Sequence, residues 1–429
     1  MASKHHSVFS SLARRTTEPP ISWLMKMTLD HPHLISLAAG FTDNESLPLT
    51  ETRRLLAGML RAGPAARATL QYGTTVGDAC LRSHTADRLL QLDKGSDPSP
   101  CATPSDPRRI LIGNGSQQLL YMLSEALCDP GDIVLVEDPT YFVYLGIAQS
   151  HGLHCRGVRM DDEGMLLEHL DQTLGWLKRS GQLSKVKFLY LVTYFQNPSG
   201  TTTSLARKKG ALELLRAYER HAGHPLYLVE DAAYRELRFA GEDVPSALSC
   251  DPARVLYVGT YSKPFATGIR AGFGCLPPAL MKVLVRIKAN HDFGTANLIQ
   301  QVLARALTDG AYDRHLVRLR RRYAKKAGIM AQAIDDFFPR SVQWRRPTGG
   351  LYIWARLPQR ARTGAASSLF KKVLGKDVLY VPGELCYAND ASRQKPACEM
   401  RLSFGGAREA HIREGIRRLG KVLSSVLPD

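Results

Sequence analysis

The sequence predicts an α/β protein: a large domain whose mostly parallel sheet, of the seven-stranded type, is flanked by helices, joined to a smaller α+β domain. Three observations carry this expectation. Between residues 109 and 274, short β-branched and aromatic runs alternate with helical patterns, which implies crossover connections and a largely parallel sheet. Helical periodicity dominates from 278 to 338, and three short apolar runs and a closing helix follow. A chain of 429 residues with 44% apolar and 23% charged composition suffices for two or three domains around a large core.

Taken in order, residues 1–18 are Ser-rich and basic, with no acid before Glu18 and no apolar core of a secretory signal, and read as a flexible segment. Residues 21–28 predict a short helix, and Leu34-Ile-Ser-Leu-Ala-Ala-Gly40 an extended segment, so 19–50 is read as joining the small domain. The large domain is expected over 51–310, opening with helices at 49–60 and 79–92 and the turn-rich loop Leu70-Gln-Tyr-Gly-Thr-Thr-Val-Gly77 between them. Four prolines with Ser, Asp and Gly mark 93–108 as an exposed insertion loop. Strands are expected at 109–112, 133–136, 188–192, 226–229, 255–258 and from 271. The small domain, 311–429, adds strands at 351–354, 378–381 and 400–404.

Composition narrows the partners. No apolar run approaches the ~20 residues of a membrane span, so a soluble, cytoplasmic protein with no membrane partner is expected. The formal charge of +17 invites an anionic partner, yet the densest basic cluster, 314–326, lies in a helical pattern with interleaved leucines. It reads as an ion-paired face, and no nucleic acid is expected. Eight dispersed cysteines without a Cys-x-x-Cys argue against a metal site and for reduced thiols.

The polar residues at the strand ends make one set, and open α/β sheets bind ligands there. Thr260-Tyr-Ser262-Lys263 ends the 255–258 strand, and a lysine in such partly apolar surroundings loses its proton readily, which suits Schiff-base chemistry. Arg270, seven residues on, can hold a phosphate from the same side. Gly113-Asn-Gly-Ser116-Gln117 opens a helix whose free N–H groups suit a phosphate; it is not the Gly-x-Gly-x-x-Gly of a nicotinamide site. Tyr141 can stack on a planar ring, Asn197 can donate to a ring hydroxyl, and Tyr234 lies within reach of the same ring. Asp231, following an apolar strand, is a buried acid in need of a cation, which a protonated ring nitrogen would supply. The cofactor these parts share is pyridoxal 5′-phosphate.

From about residue 20 onward the chain resembles the fold-type I pyridoxal-phosphate enzymes, with the aspartate aminotransferase-like fold. It is most similar to the class I/II aminotransferases of the 2-aminoadipate/kynurenine group. The resemblance rests on Ser-Leu-Ala-Ala-Gly40, Leu-Gln-Tyr72-Gly, Gly-Asn-Gly-Ser-Gln117, Asp-Pro-Thr-Tyr141, Gln-Asn197-Pro-Ser-Gly, Glu-Asp231-Ala-Ala-Tyr234, Thr260-Tyr-Ser262-Lys263 with Arg270, and Met-Arg401-Leu-Ser-Phe. It implies that Lys263 anchors the cofactor and shuttles the proton, and that Asp231 holds the ring nitrogen. Asn197 and Tyr234 would bond the ring hydroxyl while Tyr141 stacks. Ser116, Gln117, Ser262 and Arg270 would take the phosphate, with Thr260 supplying a hydroxyl where many relatives have serine. Tyr72 would reach that phosphate from the partner subunit of a homodimer. Arg401 would grip the substrate carboxylate, and Gly40 would leave room beside the substrate. It also implies cis bonds at Asn197-Pro198 and Asp138-Pro139.

The resulting expectation is an aminotransferase moving the amino group of an amino acid to a 2-oxo acid such as 2-oxoglutarate. The alternatives are a lyase or decarboxylase on the same scaffold and, remotely, a regulator domain, for which only about twenty residues precede the first match. Acid-preferring relatives offer an arginine from the N-terminal helix, where alignment puts Ser22 in this chain. An aromatic or large aliphatic L-amino acid is therefore the expected donor, packing on Ile21, Trp23 or Leu24, with a 2-aminoadipate-type donor as the alternative.

Overall fold

In a computed structural model, residues 8–61, 63–94, 106–391 and 393–427 are described. The runs predicted as strands form the centre of one sheet. Label β1 Ile110–Gly113, β2 Ile133–Asp138, β3 His154–Asp161, β4 Val186–Val192, β5 Tyr227–Asp231, β6 Val255–Thr260 and β7 Gly272–Cys275. Their order in space is β1-β7-β6-β5-β4-β2-β3, extended at the β3 edge by the short strand Gly164–Met165. All pairings among β2 to β6 are parallel, and β7 alone runs antiparallel to both its neighbours, β1 and β6. Strands β1, β2, β5, β6 and β7 are buried almost throughout, as expected of a sheet covered by helices on both faces. The carboxyl ends of β1 to β6 open onto one edge, where Asp138, Asp231 and Thr260 terminate strands, and β7 ends at the opposite one.

One long strand was not foreseen. His154–Asp161 is a β-strand, although its sequence His-Cys-Arg-Gly-Val-Arg-Met-Asp carries no apolar run. It lies near the sheet edge, where solvent takes one side and polar residues are tolerated.

The C-terminal part forms a three-stranded antiparallel sheet in which Glu399–Ser403 pairs with both Tyr352–Arg356 and Val381–Pro382. The N-terminal extended segment joins it: Ile35–Ser36 pairs in parallel with Val378–Leu379, and Ser403 N donates to Leu37 O. The helix Pro20–Asp30 precedes that segment. Ser11–Arg15 is a further short helix, capped by Ser10, with Arg15 Nε donating to Ser150 O at 3.2 Å. Most of the insertion loop expected at 93–108 lies outside the described residues. The basic cluster is ion-paired along Ala311–Phe337, with Arg318 against Glu51, Arg322 against Asp43, Glu45 and Glu409, and buried Lys326 against Asp43 at 2.9 Å. Both Asp138-Pro139 and Asn197-Pro198 are cis.

Candidate active site

Two adjoining cavities open at the carboxyl ends of β4, β5 and β6. The inner one, of about 590 Å³, is lined by Ser116, Gln117, Tyr141, Asn197, Asp231, Tyr234, Thr260, Ser262, Lys263 and Arg270, together with Val192, Ala233 and Thr267. Ten of the predicted residues thus meet in one space.

Each arrives there for a local reason. The helix Ser116–Leu127 starts without a side-chain cap, so its first N–H groups are unsatisfied by the chain. Its N-cap Gly115 has φ 80°, and a Cβ there would lie 2.9 Å from an Arg270 guanidinium nitrogen, so glycine lets that cation close on the helix start. The Ser262 hydroxyl is buried and has no hydrogen-bond partner. A helix N-terminus, a cation and an orphaned hydroxyl make an anion cradle. Thr260 spends its hydroxyl locally, donating to Ala271 O at 3.2 Å and accepting from Ser262 N at 3.1 Å.

At the other end of the cavity Asp231 is 3% exposed and accepts from Tyr190 Oη at 2.9 Å and Ala233 N at 3.1 Å. Burial pushes its carboxyl up to about 6, although the Tyr190 bond favours the charged form. It has no cation beside it among the described residues. A planar cationic ring carrying a phosphate fits this lining at both ends.

Lys263 lies between. Its Nζ donates to Gly40 O at 2.8 Å. Desolvation lowers its pKa, and the charges of Arg401 and Arg270 act the same way against an opposing effect of Tyr352. An amine so placed is readily deprotonated and nucleophilic.

The outer cavity, of about 770 Å³, shares Tyr141, Asn197, Tyr234, Lys263, Thr267 and Arg270 with the inner one. It adds Gly40, Arg401 and Tyr352 together with the apolar side chains of Ile21, Met25, Phe41, Phe142 and Val143. Arg401 is held by Asn197 Oδ1 at 2.7 Å and Ala38 O at 2.6 Å, and its Nε is buried without a partner. Its guanidinium sits 4.2 Å from the Tyr352 ring centroid. The Tyr352 hydroxyl in turn contacts that of Tyr234 at 3.1 Å. A Cβ on Gly40 would lie 2.8 Å from the same hydroxyl, so the room at Gly40 is taken by Tyr352.

Sequence reasoning missed Tyr352 and Thr267. Tyr352 is one aromatic among several in a strand, and only the pairing of Trp354 with Arg401 brings it beside the arginine. Thr267 could have been noticed as a hydroxyl between Lys263 and Arg270. The N-terminal helix corrects another expectation. Of the three side chains named for it only Ile21 lines the cavity, joined by Met25; Trp23 faces Phe370 at 6.0 Å and Leu24 is in the core. Ser22 and Lys26 are exposed and outside the lining, so no cation enters from this helix. Tyr72 belongs to neither cavity of its own chain. It is 86% exposed, edge-on to Phe293 at 5.4 Å and beside exposed Leu70.

Among the described residues no cluster of His, Cys, Asp and Glu could hold a metal ion, and no helix is long and apolar enough to cross a membrane.

A family model described as aminotransferase class I and II matches residues 32–419. The chain is 33% identical to the aromatic-amino-acid aminotransferase 1 of Thermococcus litoralis over 98% of its own length and 94% of the relative's. The kynurenine aminotransferase of Pyrococcus horikoshii, solved in complex with PMP, superposes with a TM-score of 0.86 at 32% identity, covering 98% of both chains. The α-aminoadipate aminotransferase of Thermus thermophilus, solved with N-(5′-phosphopyridoxyl)-L-leucine, superposes at 0.82 with 31% identity, covering 97% of both.

Proposed function

This chain belongs to the class I and II aminotransferases, and from that premise we propose that it transfers the amino group of an aromatic or large aliphatic L-amino acid to a 2-oxo acid such as 2-oxoglutarate, with pyridoxal 5′-phosphate as cofactor. The observation that carries the donor class is the outer cavity. Its apolar wall is Ile21, Met25, Phe41, Phe142 and Val143, and the cations lining the cavity among the described residues are Lys263, Arg270 and Arg401, which this reading commits to the cofactor and the substrate α-carboxylate, leaving none for a distal carboxylate. A charged side chain would lose its hydration against that wall, whereas an apolar one gains by packing. One relative is named for aromatic amino acids, which favours this reading, whereas the relative solved with a leucine adduct is named for α-aminoadipate, the alternative donor.

When bound, pyridoxal phosphate supplies a carbonyl carbon that bonds an amine and a ring that accepts electron density. The lining supports these roles for the chain's own residues. Ser116, Gln117, Ser262 and Arg270 would hold the phosphate, Asp231 the ring nitrogen, and Asn197 and Tyr234 the ring hydroxyl, with Tyr141 against the ring. Arg401, already braced by Asn197 and Ala38, offers its guanidinium to the substrate carboxylate, which orients the Cα–H bond toward Lys263. Lys263, whose pKa is lowered by burial and by two nearby arginines, would accept the Cα proton at Nζ and return it on the far side of the substrate nitrogen, two bonds away. Gly40 O receives the Lys263 amine and steadies it between these positions. Tyr72 reaches the phosphate of a second copy, so the working unit is a homodimer.

The test is a donor series with 2-oxoglutarate as acceptor. Phenylalanine and leucine are expected to exceed 2-aminoadipate in kcat/KM, with glutamate formed and no free ammonia. A tenfold preference for 2-aminoadipate, about 1.4 kcal/mol in the transition state, overturns the donor class. Ammonia or CO₂ in place of glutamate overturns transamination in favour of elimination or decarboxylation.

A further inference from the structure

Among the described residues Asp231 is the only carboxylate lining the inner cavity. The groups that face it are Tyr190, whose hydroxyl donates to it at 2.9 Å, the Ala233 N–H at 3.1 Å, and the more remote Tyr141 and Glu137. Tyr190 is 0% exposed and lies in the middle of β4, two residues before Val192. Its ring stacks on Tyr144 at 4.1 Å with 21° between planes, and the Tyr144 hydroxyl contacts Ser124 Oγ at 3.3 Å. The phenol is thus fixed by its packing and donates to a single acceptor. Burial and the neighbouring carboxylate raise the Tyr190 pKa far above its ordinary value, so it remains a donor at every working pH.

We propose that Tyr190 is a positioning residue for the transfer reaction, whose hydrogen bond to Asp231 keeps the shared proton on the cofactor's ring nitrogen instead of on the carboxylate. The inference rests on the cofactor reading above. In a dry site, a carboxylate and a ring nitrogen compete for one proton, and the ion pair survives only where further donors stabilise the carboxylate. Asp231 has two, and Tyr190 is the side chain among them. A protonated ring nitrogen is what makes the ring a strong electron acceptor, so Tyr190 acts on the reaction through Asp231 without touching substrate. A hydrogen bond to a charged group is strong enough to alter such a balance by tenfold or more.

The experiment reads the proton directly. Holoenzyme is prepared with ¹⁵N-labelled pyridoxal phosphate, and the ring-nitrogen signal is recorded at pH 7 for wild type, Tyr190→Phe and Tyr144→Phe. Tyr190→Phe keeps the ring and its stack. Its signal is expected to move toward the unprotonated-pyridine position, with cofactor affinity weakened about tenfold. Tyr144→Phe removes a hydroxyl from the same column without touching Asp231, and its signal is expected to match wild type. An unmoved signal in Tyr190→Phe overturns the proposal, as does an equal movement in Tyr144→Phe, which would assign the effect to packing. Were Tyr190→Phe to yield no folded holoenzyme, 3-fluorotyrosine at position 190, a stronger donor on the same ring, decides. Its signal must stay at the wild-type position or move to fuller protonation, and movement the other way refutes the bond's role. Failure of the wild type itself to bind the labelled cofactor would count against the cofactor reading, a separate result.

Discussion

Replacing Glu137 by glutamine removes one titrating proton from the middle of the sheet and leaves a side chain of nearly the same shape. Glu137 sits at the end of β2, fully buried, and its Oε2 accepts from Val192 N at 2.8 Å and from Gln196 Nε2 at 2.7 Å. Its other oxygen has no partner. Burial pushes the carboxyl up to about 8 from an ordinary 4.5, with the charge of Asp231 adding to the rise and the two hydrogen bonds opposing it. The folded protein therefore holds this proton up to about pH 8, while the unfolded chain releases it near 4.5. In that window the unfolded state binds fewer protons, so stability falls as pH rises, at no more than ~1.4 kcal/mol per unit. Between pH 5 and 8 this group alone takes away up to roughly 4 kcal/mol. Glutamine carries no proton there and keeps an oxygen for Val192. Urea unfolding at pH 5, 6, 7 and 8, at fixed protein and cofactor concentration, measures the difference, because the other titrating groups cancel between the two proteins. The stability of Glu137→Gln relative to wild type is expected to rise steadily with pH. A constant difference across the range would show that Glu137 is ionised in the fold and would refute the reasoning.

Met25 and Tyr72 give further tests. Met25→Arg places a cation on the apolar wall, and a charge-assisted pair there is worth about 1.5–3 kcal/mol. The ratio of kcat/KM for 2-aminoadipate over phenylalanine should rise at least tenfold; an unchanged ratio would mean that the side chain of the substrate lies elsewhere. Tyr72, Leu70 and Phe293 are exposed together on one face, at 86%, 68% and 57%. Light scattering is expected to give a dimer, and Tyr72→Phe to weaken cofactor retention; a stable, fully active monomer would contradict the placing of Tyr72 in a second copy's site.

The strand ends were legible because the chemistry sits where apolar runs stop. Asp231 follows a run whose burial is written in Leu228 and Val229, and Lys263 follows one that the strand Val255–Thr260 repeats in full. Ser116 and Gln117 were legible because two glycines precede them. The strand His154–Asp161 was not, since an edge position relaxes the demand for apolar residues that makes strands readable. Tyr190 and Tyr352 were illegible for a different reason. Both are aromatic residues in strands, where aromatics are ordinary, and only the register across the sheet sets their hydroxyls against Asp231 and Tyr234. On the helix Pro20–Asp30, the apolar composition was read correctly but the facing was not. Its rotation turns Met25 inward and Trp23 toward Phe370, which no pattern of eleven residues fixes without its packing partners.

The proposed chemistry turns on one amine, that of Lys263, which lines both cavities and sets its Nζ against Gly40 O. The direct measurement is borohydride reduction of the cofactor-loaded protein, followed by proteolysis and mass spectrometry of the phosphopyridoxyl peptide. A single modified lysine, Lys263, is expected, together with a folded Lys263→Ala variant that takes up no covalent label. Label on any other lysine, or fixation persisting in Lys263→Ala, would contradict it.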